Sequence, residues 1–303
     1  MACSSSGDTD DLGCGVRRGC AMLARQSYSL ARGQTRLMSL PAIQARRVLD
    51  VRRHTGGVVE TFFEADELAA SVLPGQFVML RVPGGYDPLL PRPMSVFRRL
   101  TLEGAPAASV LYTVTGAGTA RLACLGPGQE LMVLGPLGRP FELVSPPQGA
   151  LLVAGGIGIA GLMLLAEALS ARGVATTLAY GARSAQDLVA LERFEALGIE
   201  TELATDDGSR GLKGLVTELL LRLWSDGRAA DARVYACGPQ PMLRAVRALV
   251  LERGVQAELA LEAHMACGFG ICLGCAVASL RRPGRYELVC KDGPVFPAEA
   301  VLP

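Results

Sequence analysis

The sequence has very little histidine and almost no net charge, and each shortage excludes a class of function. Only two histidines occur, His54 and His264, and neither has an obvious partner for a Ser/His/Asp or Cys/His catalytic set. The 30 Lys and Arg residues nearly balance the 29 Asp and Glu residues. This balance provides no electrostatic basis for binding nucleic acid or an anionic membrane. We therefore expect neither a hydrolase nor a nucleic-acid-binding protein.

Long uninterrupted hydrophobic runs are also missing. Residues 1–40 mix Ser, Gly, Arg and Asp without periodicity, and they contain no apolar run of signal-peptide length. We expect them to form a disordered extension. Residues 150–166 are 17 uncharged positions, but four glycines interrupt them. This pattern favours a buried strand, a glycine turn and a buried helix over a membrane span.

The cysteines do not have the even spacing of a secreted, disulfide-bonded protein. There are nine; three lie in the first twenty residues, two are isolated and four are close to the C-terminus. An odd and clustered set suits a reducing compartment and a metal site. We therefore expect a cytoplasmic protein.

The C-terminal cysteines follow the pattern Cys-x4-Cys-x2-Cys, and a fourth stands alone after 14 further residues. This is the spacing of a plant-type [2Fe–2S] site. Three glycines inside the pattern allow the backbone to turn tightly and to direct N–H groups at sulfur. A structural zinc site usually combines two Cys-x2-Cys pairs, so it fits less well. The predicted ligands of the iron–sulfur cluster are Cys267, Cys272, Cys275 and Cys290.

Two different patterns follow the extension. Residues 41–146 contain six short β-rich segments between Pro and Gly turns, which predict a small antiparallel β-barrel with one short helix at residues 119–125. Residues 150–256 alternate four strands with four helices, which predicts a parallel, doubly wound α/β sheet. Residues 257–303 hold the cysteines and form a third predicted domain.

Two short motifs of the barrel are typical of a bound phosphate compound. Residues 92–95, RPMS, open a predicted strand, where the Arg and the Ser could hold a phosphate and the edge of a flavin ring. Gly118 and Thr119 stand at a predicted helix N-terminus, whose free N–H groups suit a pyrophosphate. An ordinary helix cap would show the same pattern, so this second motif alone decides little.

The α/β region contains the pattern G-x-G-x-x-G at Gly156, Gly158 and Gly161, after a strand and before a helix. This is the dinucleotide fingerprint, but the acidic residue usual at the end of the next strand is missing. Residues 237–239, Cys-Gly-Pro, follow the fourth strand, where open α/β sheets bind ligands. A lone cysteine there is also compatible with plain packing. We expect a nucleotide site at these strand ends.

Taken in order, these motifs resemble the electron-transfer subunit family of type B, NAD-dependent dihydroorotate dehydrogenase, within the ferredoxin–NADP reductase superfamily. The resemblance runs from residue 41 to residue 303, and its most specific parts are the cysteine motif and KDGPVF, residues 291–296. It implies FAD in the barrel and NAD(H) in the α/β domain. The implied FAD residues are Arg92, Pro93, Met94, Ser95, Leu111, Tyr112, Thr113, Gly118 and Thr119. The implied NAD residues are Gly156, Gly158, Cys237, Gly238 and Pro239.

The resemblance also implies a partner and a pathway. Dihydroorotate would be oxidised at FMN in a separate catalytic chain, and electrons would pass through [2Fe–2S] and FAD to NAD+ in de novo pyrimidine (UMP) biosynthesis. The expected assembly is a heterotetramer with two copies of each chain. A (β/α)8 catalytic barrel needs about 250 residues, and all 303 residues here already have an assignment. No catalytic residue is predicted in this chain.

Other functions are compatible with the same motifs. The flavin subunit of NADH-dependent ferredoxin–NADP oxidoreductase has the same layout, but its cluster loop begins with Asp where Cys267 stands here. A hydrogenase-type flavin subunit is a second alternative. A non-enzymatic iron–sulfur redox sensor is a third, and it would show no NADH turnover.

Overall fold

A computed structural model describes residues 42–85 and 88–303, so the predicted extension at residues 1–40 lies outside the described residues. The first part of the fold is a closed six-stranded barrel in the order β1-β2-β5-β4-β3-β6, with antiparallel neighbours. Its strands are β1 (Ala42–Arg53), β2 (Val58–Glu64), β3 (Phe77–Arg81), β4 (Arg92–Leu102), β5 (Ala105–Thr113) and β6 (Glu130–Leu137). Its helices are α1 (Asp66–Ser71) and α2 (Ala117–Ala123).

Alternating apolar residues fill the barrel and explain why these segments are strands. Val48, Phe63, Val78, Val96 and Val110, each from a different strand, share one buried cluster. β-Branched and aromatic residues pack well on a pleated, buried surface. The sequence pattern predicted the six strands and α2, and the closed barrel confirms that fold class. It missed α1, because a single six-residue helix has too little periodicity to recognise.

The second part is a seven-stranded sheet in the order β10-β9-β8-β7-β11-β12-β15. All neighbouring strands are parallel except β15. Its strands are β7 (Ala150–Gly155), β8 (Thr176–Ala182), β9 (Glu200–Thr205), β10 (Leu212–Lys213), β11 (Arg233–Cys237), β12 (Ala257–Ala260) and β15 (Val295–Pro297). Its helices are α3 (Ile159–Ala171), α4 (Leu191–Ala196), α5 (Val216–Ser225) and α6 (Gln240–Arg253).

The uncharged segment at residues 150–166 forms β7, a short turn and the first half of α3, as its glycines predicted. Its side chains are buried on both faces of the sheet. Of the helices described, none is both long enough and apolar enough to cross a membrane.

The predicted third domain shares the sheet of the second. Its first strand, β12, pairs with β11, and β15 pairs with β12. Between them lie the cysteine loop and a small hairpin of β13 (Ala276–Ala278) and β14 (Tyr286–Leu288). The domain bounds of residues 41–146, 150–256 and 257–303 stay a prediction. The pairing shows why the third region packs so closely on the second: it supplies two of the sheet's seven strands.

Candidate functional site

Arg92, the first residue of β4, lies directly against the first turn of α2. A Cβ built on Gly118 would lie 2.6 Å from Arg92 Cζ, so the guanidinium lies directly over the glycine. Arg92 Nη1 also donates a hydrogen bond of 2.5 Å to the carbonyl oxygen of Leu90. The barrel therefore brings together two of the predicted phosphate-binding elements, which are 26 positions apart in sequence.

Two further arginines share a small cavity with Arg92 and Gly118. The cavity, about 20 Å³, is also lined by Arg81 at the end of β3 and Arg121 in α2. Arg81 donates to the Gly85 carbonyl at 3.0 Å, and its Nε is buried with no hydrogen-bond partner among the residues described. Three guanidiniums beside a helix start provide the positive charge and N–H donors that bind phosphate groups in proteins. Sequence analysis missed Arg81 and Arg121, because nothing local distinguishes them from surface arginines.

The hydroxyl of Thr119 is used within its own turn. Its Oγ1 accepts hydrogen bonds from the N–H groups of Thr115 at 3.0 Å and Gly116 at 3.1 Å, and it donates to the Gly116 carbonyl at 3.0 Å. Thr119 therefore shapes the start of α2, and any ligand contact there would come from backbone N–H groups.

The three predicted residues of β5 have different surroundings. Leu111 and Tyr112 are buried, and the Tyr112 hydroxyl lies 3.0 Å from Thr61 Oγ1 inside the barrel. Burial raises the pKa of Tyr112 to about 12, so the phenol stays neutral. Thr113, at the end of β5, lines the large cavity described below. Although the three residues are consecutive, Leu111 and Tyr112 are buried in the fold, whereas Thr113 lines a cavity.

Ser95, Gly161 and Cys237 meet where the barrel faces the α/β sheet. A Cβ on Gly161 would lie 2.9 Å from Cys237 Sγ and 3.5 Å from Ser95 Oγ. Only a residue without a side chain in the first turn of α3 allows this approach. Cys237 is 5% exposed, and burial raises the pKa of its thiol well above the usual value, assisted by the carboxylate of Glu262. The thiol therefore stays protonated at neutral pH.

Glu262, which sequence analysis missed, follows β12 on the same side as Cys237. The side chain is exposed, yet desolvation raises the pKa of its carboxyl group. No spacing rule identifies such a residue, since its neighbours come from other strands.

The turn after β7 packs against the end of β11. A Cβ on Gly158 would overlap the carbonyl oxygen of Cys237 and lie 2.7 Å from Gly238 Cα. One on Gly155 would lie 2.9 Å from Pro239 Cδ. Gly156 has a φ of +52°, in the left-handed region that favours glycine. The predicted nucleotide residues of the two segments are therefore in direct contact.

A cavity of about 420 Å³ opens beside this turn. It lies at the carboxyl ends of β7, β8 and β9, and Gly155, Gly156 and Pro239 line it together with Thr113 of the barrel. The chain order reverses here, because β8 and β11 lie on opposite sides of β7. Open α/β sheets bind nucleotides at such a point, and the volume suits part of one.

We expect Gly158→Ala to destabilise the protein by about 2 kcal/mol, because the added methyl group displaces the Cys237 backbone. Urea unfolding monitored by circular dichroism measures the loss. Gly126→Ala is the matched control, since its Cβ would meet nothing closer than Gln129 Oε1 at 3.8 Å. Equal stability of both variants would show that the turn has room to move.

The four predicted cluster ligands lie together in two pairs. Sγ of Cys275 lies 3.3 Å from Sγ of Cys290, and the side chains of Cys267 and Cys272 interact with each other. Backbone N–H groups point at three of the sulfurs. Cys267 Sγ accepts from Ile271 at 3.4 Å and from Cys272 at 3.5 Å, Cys272 Sγ from Gly274 at 3.5 Å, and Cys275 Sγ from Cys290 at 3.5 Å. N–H donors of this kind stabilise thiolates bound to iron.

The first and last cysteines differ in acidity before any metal binds. Burial opposes ionisation of Cys267, but hydrogen bonds from three backbone N–H groups outweigh it and lower the pKa to about 6. Burial, followed by the neighbouring Cys275, raises the pKa of Cys290 to about 12. The backbone N–H groups around Cys267 therefore favour its thiolate, the form of cysteine that binds a metal.

The paired arrangement bears on the choice between iron–sulfur and zinc. Structural zinc draws four ligands to one centre, whereas a [2Fe–2S] cluster distributes four cysteines over two irons. Two pairs of thiols fit the second case better.

The cysteine loop lies one strand away from the RPMS motif. In the ladder between β3 and β4, Met79 pairs with Pro93 and Phe77 with Ser95. The side chain of Met79 touches the loop, because a Cβ on Gly268 would lie 2.5 Å from Met79 Cγ. Adjacent strands are about 5 Å apart. The cluster ligands and the predicted flavin motif are therefore neighbours across a single strand.

The structure shows what surrounds the two histidines, for which the sequence offers no obvious catalytic partner. His54 Nε2 lies 3.5 Å from Oε2 of Glu60, which is fully buried, so His54 is a structural residue of the barrel. The two residues are brought together by the turn between β1 and β2, which sequence spacing does not reveal. His264 is exposed, as expected.

Comparisons with known proteins agree on one family. Residues 262–302 match the model of the iron–sulfur cluster binding domain of dihydroorotate dehydrogenase B, and residues 152–248 match the oxidoreductase NAD-binding domain. The electron transfer subunit of dihydroorotate dehydrogenase B (NAD(+)) from Bacillus caldolyticus is 42% identical over 76% of this chain and 86% of its own length. The corresponding subunit from Desulforamulus reducens is 38% identical over 79% of this chain and 90% of its own.

Among solved structures, the NADH-dependent reduced ferredoxin–NADP oxidoreductase superposes with a TM-score of 0.73 at 28% identity, over 84% of this chain and 89% of that one. This chain therefore shares the fold of that oxidoreductase, but the two electron transfer subunits named above are closer to it in sequence. By these comparisons, the chain belongs to the family of electron transfer subunits of dihydroorotate dehydrogenase B (NAD(+)).

Proposed function

We propose that this chain conducts electrons from the FMN-containing catalytic chain of dihydroorotate dehydrogenase, through a [2Fe–2S] cluster and FAD, to NAD+. One observation carries the proposal. The cysteine loop, the RPMS strand and the nucleotide turn form a continuous row, joined by the contacts of Gly268 with Met79 and of Gly161 with Ser95 and Cys237. A row of this kind is what successive electron transfers require.

The residues of the barrel fit FAD. Its diphosphate would be held by the guanidinium groups of Arg81, Arg92 and Arg121. The N–H at Arg81 Nε has no hydrogen-bond partner among the residues described, and the diphosphate would accept a hydrogen bond from it. Gly118 keeps the helix start open to the same group. Ser95 would donate a hydrogen bond to the ring at the meeting point with Cys237. FAD, when bound, supplies the exchange between single electrons and a hydride.

The α/β domain fits NAD(H). Gly156 and Gly158 allow the turn to approach a pyrophosphate, and Pro239 and Gly238 form the opposite wall. Cys237 places a neutral thiol beside Ser95, so the nicotinamide would be held next to the flavin in a site from which water is excluded.

The partner chain would dock at the cysteine loop. Phe269, Ile271 and Leu273 of this loop are 44%, 73% and 62% exposed. Apolar side chains this exposed around a cluster are typical of a protein interface. We further propose a heterotetramer with two copies of each chain, located in the cytoplasm, where reduced thiols such as the six free cysteines of the described residues persist.

Oxidation of dihydroorotate itself is assigned to the partner. That reaction needs a positioned base to accept a proton. The nucleophile nearest the proposed site, Cys237, is protonated at neutral pH, because burial raises its pKa. The alternative assignment, to the flavin subunit of an NADH-dependent ferredoxin–NADP oxidoreductase, has the support of the shared fold at 28% identity. The presence of Cys267 and the 42% identical relative favour the dihydroorotate assignment.

We expect the isolated, reconstituted chain to reduce ferricyanide with NADH and to leave dihydroorotate unoxidised. Stopped-flow absorbance at the flavin band measures both reactions. Adding the FMN-containing catalytic chain should establish NAD+-linked dihydroorotate oxidation. Rapid flavin bleaching by dihydroorotate without the partner would overturn the assignment, and so would a failure of NADH to bleach the flavin.

A further inference from the structure

The carboxylate of Glu60 in β2 is fully buried where the barrel packs against α4. Its Oε1 accepts a hydrogen bond of 2.7 Å from Ser109 Oγ and lies 3.8 Å from Arg98 Nη1, both within the barrel. Its Oε2 lies 3.5 Å from His54 Nε2 and 3.7 Å from Nη2 of Arg193 in α4. A buried charge is costly unless it is paired. Glu60 is therefore paired with one arginine from each side of the boundary between the barrel and the α/β domain.

The two arginines are close enough for their charges to interact. Burial, and then the charge of Arg193, lower the pKa of Arg98, while Glu60 opposes this shift. A second carboxyl group, that of Glu167 in α3, lies near the same arginines, whose charges favour its ionisation. Burial outweighs them and raises the pKa of Glu167, which disfavours its charge. Loss of the Glu60 charge would therefore leave the guanidiniums of Arg98 and Arg193 to repel each other across the boundary.

The segments that this ion pair joins also form two walls of the proposed nucleotide cavity. Val58, two residues before Glu60 in β2, lines the cavity from the barrel. Val189, four residues before Arg193, lines it from the α/β domain. The turn that precedes β2 also packs on the short helical turn just before Val189. The width of the cavity therefore depends on how closely β2 and α4 are held together.

We propose that Glu60 is a positioning residue for NADH: through Arg193, its carboxylate holds the α/β wall of the nucleotide cavity against the barrel wall. This inference rests on the proposed NAD(H) site. Glu60 is buried behind the wall and does not line the cavity, so it acts on the population of the closed arrangement. The apparent affinity for a ligand falls in proportion to the fraction of protein whose site is competent to bind it. Because NADH would contact both walls, a saturating concentration restores the closed arrangement.

Glu60→Gln tests the inference, because it removes the charge, keeps the shape and leaves an acceptor for Ser109. In stopped-flow reduction of the flavin of the reconstituted chain, the half-saturating NADH concentration should rise about tenfold or more. The limiting rate constant and the FAD content should stay within about twofold of wild type, whereas general unfolding would lower the FAD content. Glu64→Gln is the matched control. Its carboxylate, at the end of the same strand, accepts from Arg47 Nε at 2.9 Å within the barrel, so neither kinetic constant should change.

Arg193→Gln tests the same contact from α4 and leaves the buried strand β2 unchanged. It should raise the half-saturating concentration about threefold or more. The double variant should match Arg193→Gln alone, because the charge of Glu60 then has no partner in α4 and the two effects do not add. An unchanged half-saturating concentration in either single variant, or additive effects in the double variant, would overturn the role of Glu60. A wild-type flavin that NADH does not reduce would instead overturn the proposed function, so the two failures are distinguishable.

Discussion

Replacing Cys290 by Ser should abolish the [2Fe–2S] cluster and leave the barrel and its flavin in place. Cys290 lies 3.3 Å from Cys275 and supplies the second sulfur of one pair, so its loss leaves one iron with a single thiolate. We expect the electron paramagnetic resonance signal of the reduced chain to disappear. Support for dihydroorotate oxidation by the partner should fall to background, because the proposed electron route between the two flavins passes through the cluster.

Cys124→Ser is the control for this variant. Cys124 is an exposed free thiol at the end of α2, outside the cysteine loop, so the signal and the activity should match the wild type. Elemental analysis of anaerobically prepared protein provides an independent check. Zinc in place of iron, or an undiminished signal in Cys290→Ser, would contradict the assignment of the cluster.

Replacing Arg92 by Ala should weaken FAD binding by roughly 10-fold to 150-fold. Charge-assisted hydrogen bonds to a phosphate contribute about 1.5–3 kcal/mol each, and about 1.4 kcal/mol corresponds to a factor of ten. The guanidinium of Arg92 already lies over the start of α2, so this side chain needs little rearrangement to bind FAD. The loss of binding free energy in the variant should therefore be close to the full value of the hydrogen bond. Fluorescence titration of the apoprotein with FAD measures the dissociation constant.

Two comparison variants make the Arg92 result specific. Ser95→Ala removes a neutral hydrogen bond and should weaken binding much less, by roughly tenfold at most. Arg47→Ala removes an arginine from the same barrel, but this side chain pairs with Glu64 on the outer surface, and FAD binding should not change. Equal FAD retention in Arg92→Ala and wild type would place the diphosphate elsewhere.

The structure gives the predicted motifs a common physical basis: other parts of the chain approach the backbone closely at glycines. Gly118 makes room for Arg92, Gly158 for the end of β11, Gly161 for Cys237 and Gly268 for Met79. At each position a Cβ would meet an atom at 2.9 Å or less. The glycines are therefore the places where separate elements of the chain come into contact, and each contact lies at a proposed cofactor or nucleotide site.

Much of the architecture follows from sequence patterns that act locally. Alternating apolar residues between Pro and Gly turns predicted the barrel strands, because alternation of the side chains is a property of each strand alone. The strand–helix alternation predicted the parallel sheet for the same reason. The spacing of the cysteines predicted the cluster loop, since one short segment supplies three ligands.

Other features depend on contacts between distant segments, and only the tertiary structure decided them. Arg81 and Arg121 line one small cavity with Arg92 only when β3, β4 and α2 are folded together. Thr113 of the barrel and Pro239 of the α/β domain line one cavity only because the end of β5 lies beside the end of β11 in the fold. Periodicity and spacing describe the neighbourhood of a residue along the chain. They do not specify which strand ends meet, and it is the packing of the two sheets that places Ser95, Gly161 and Cys237 at one point.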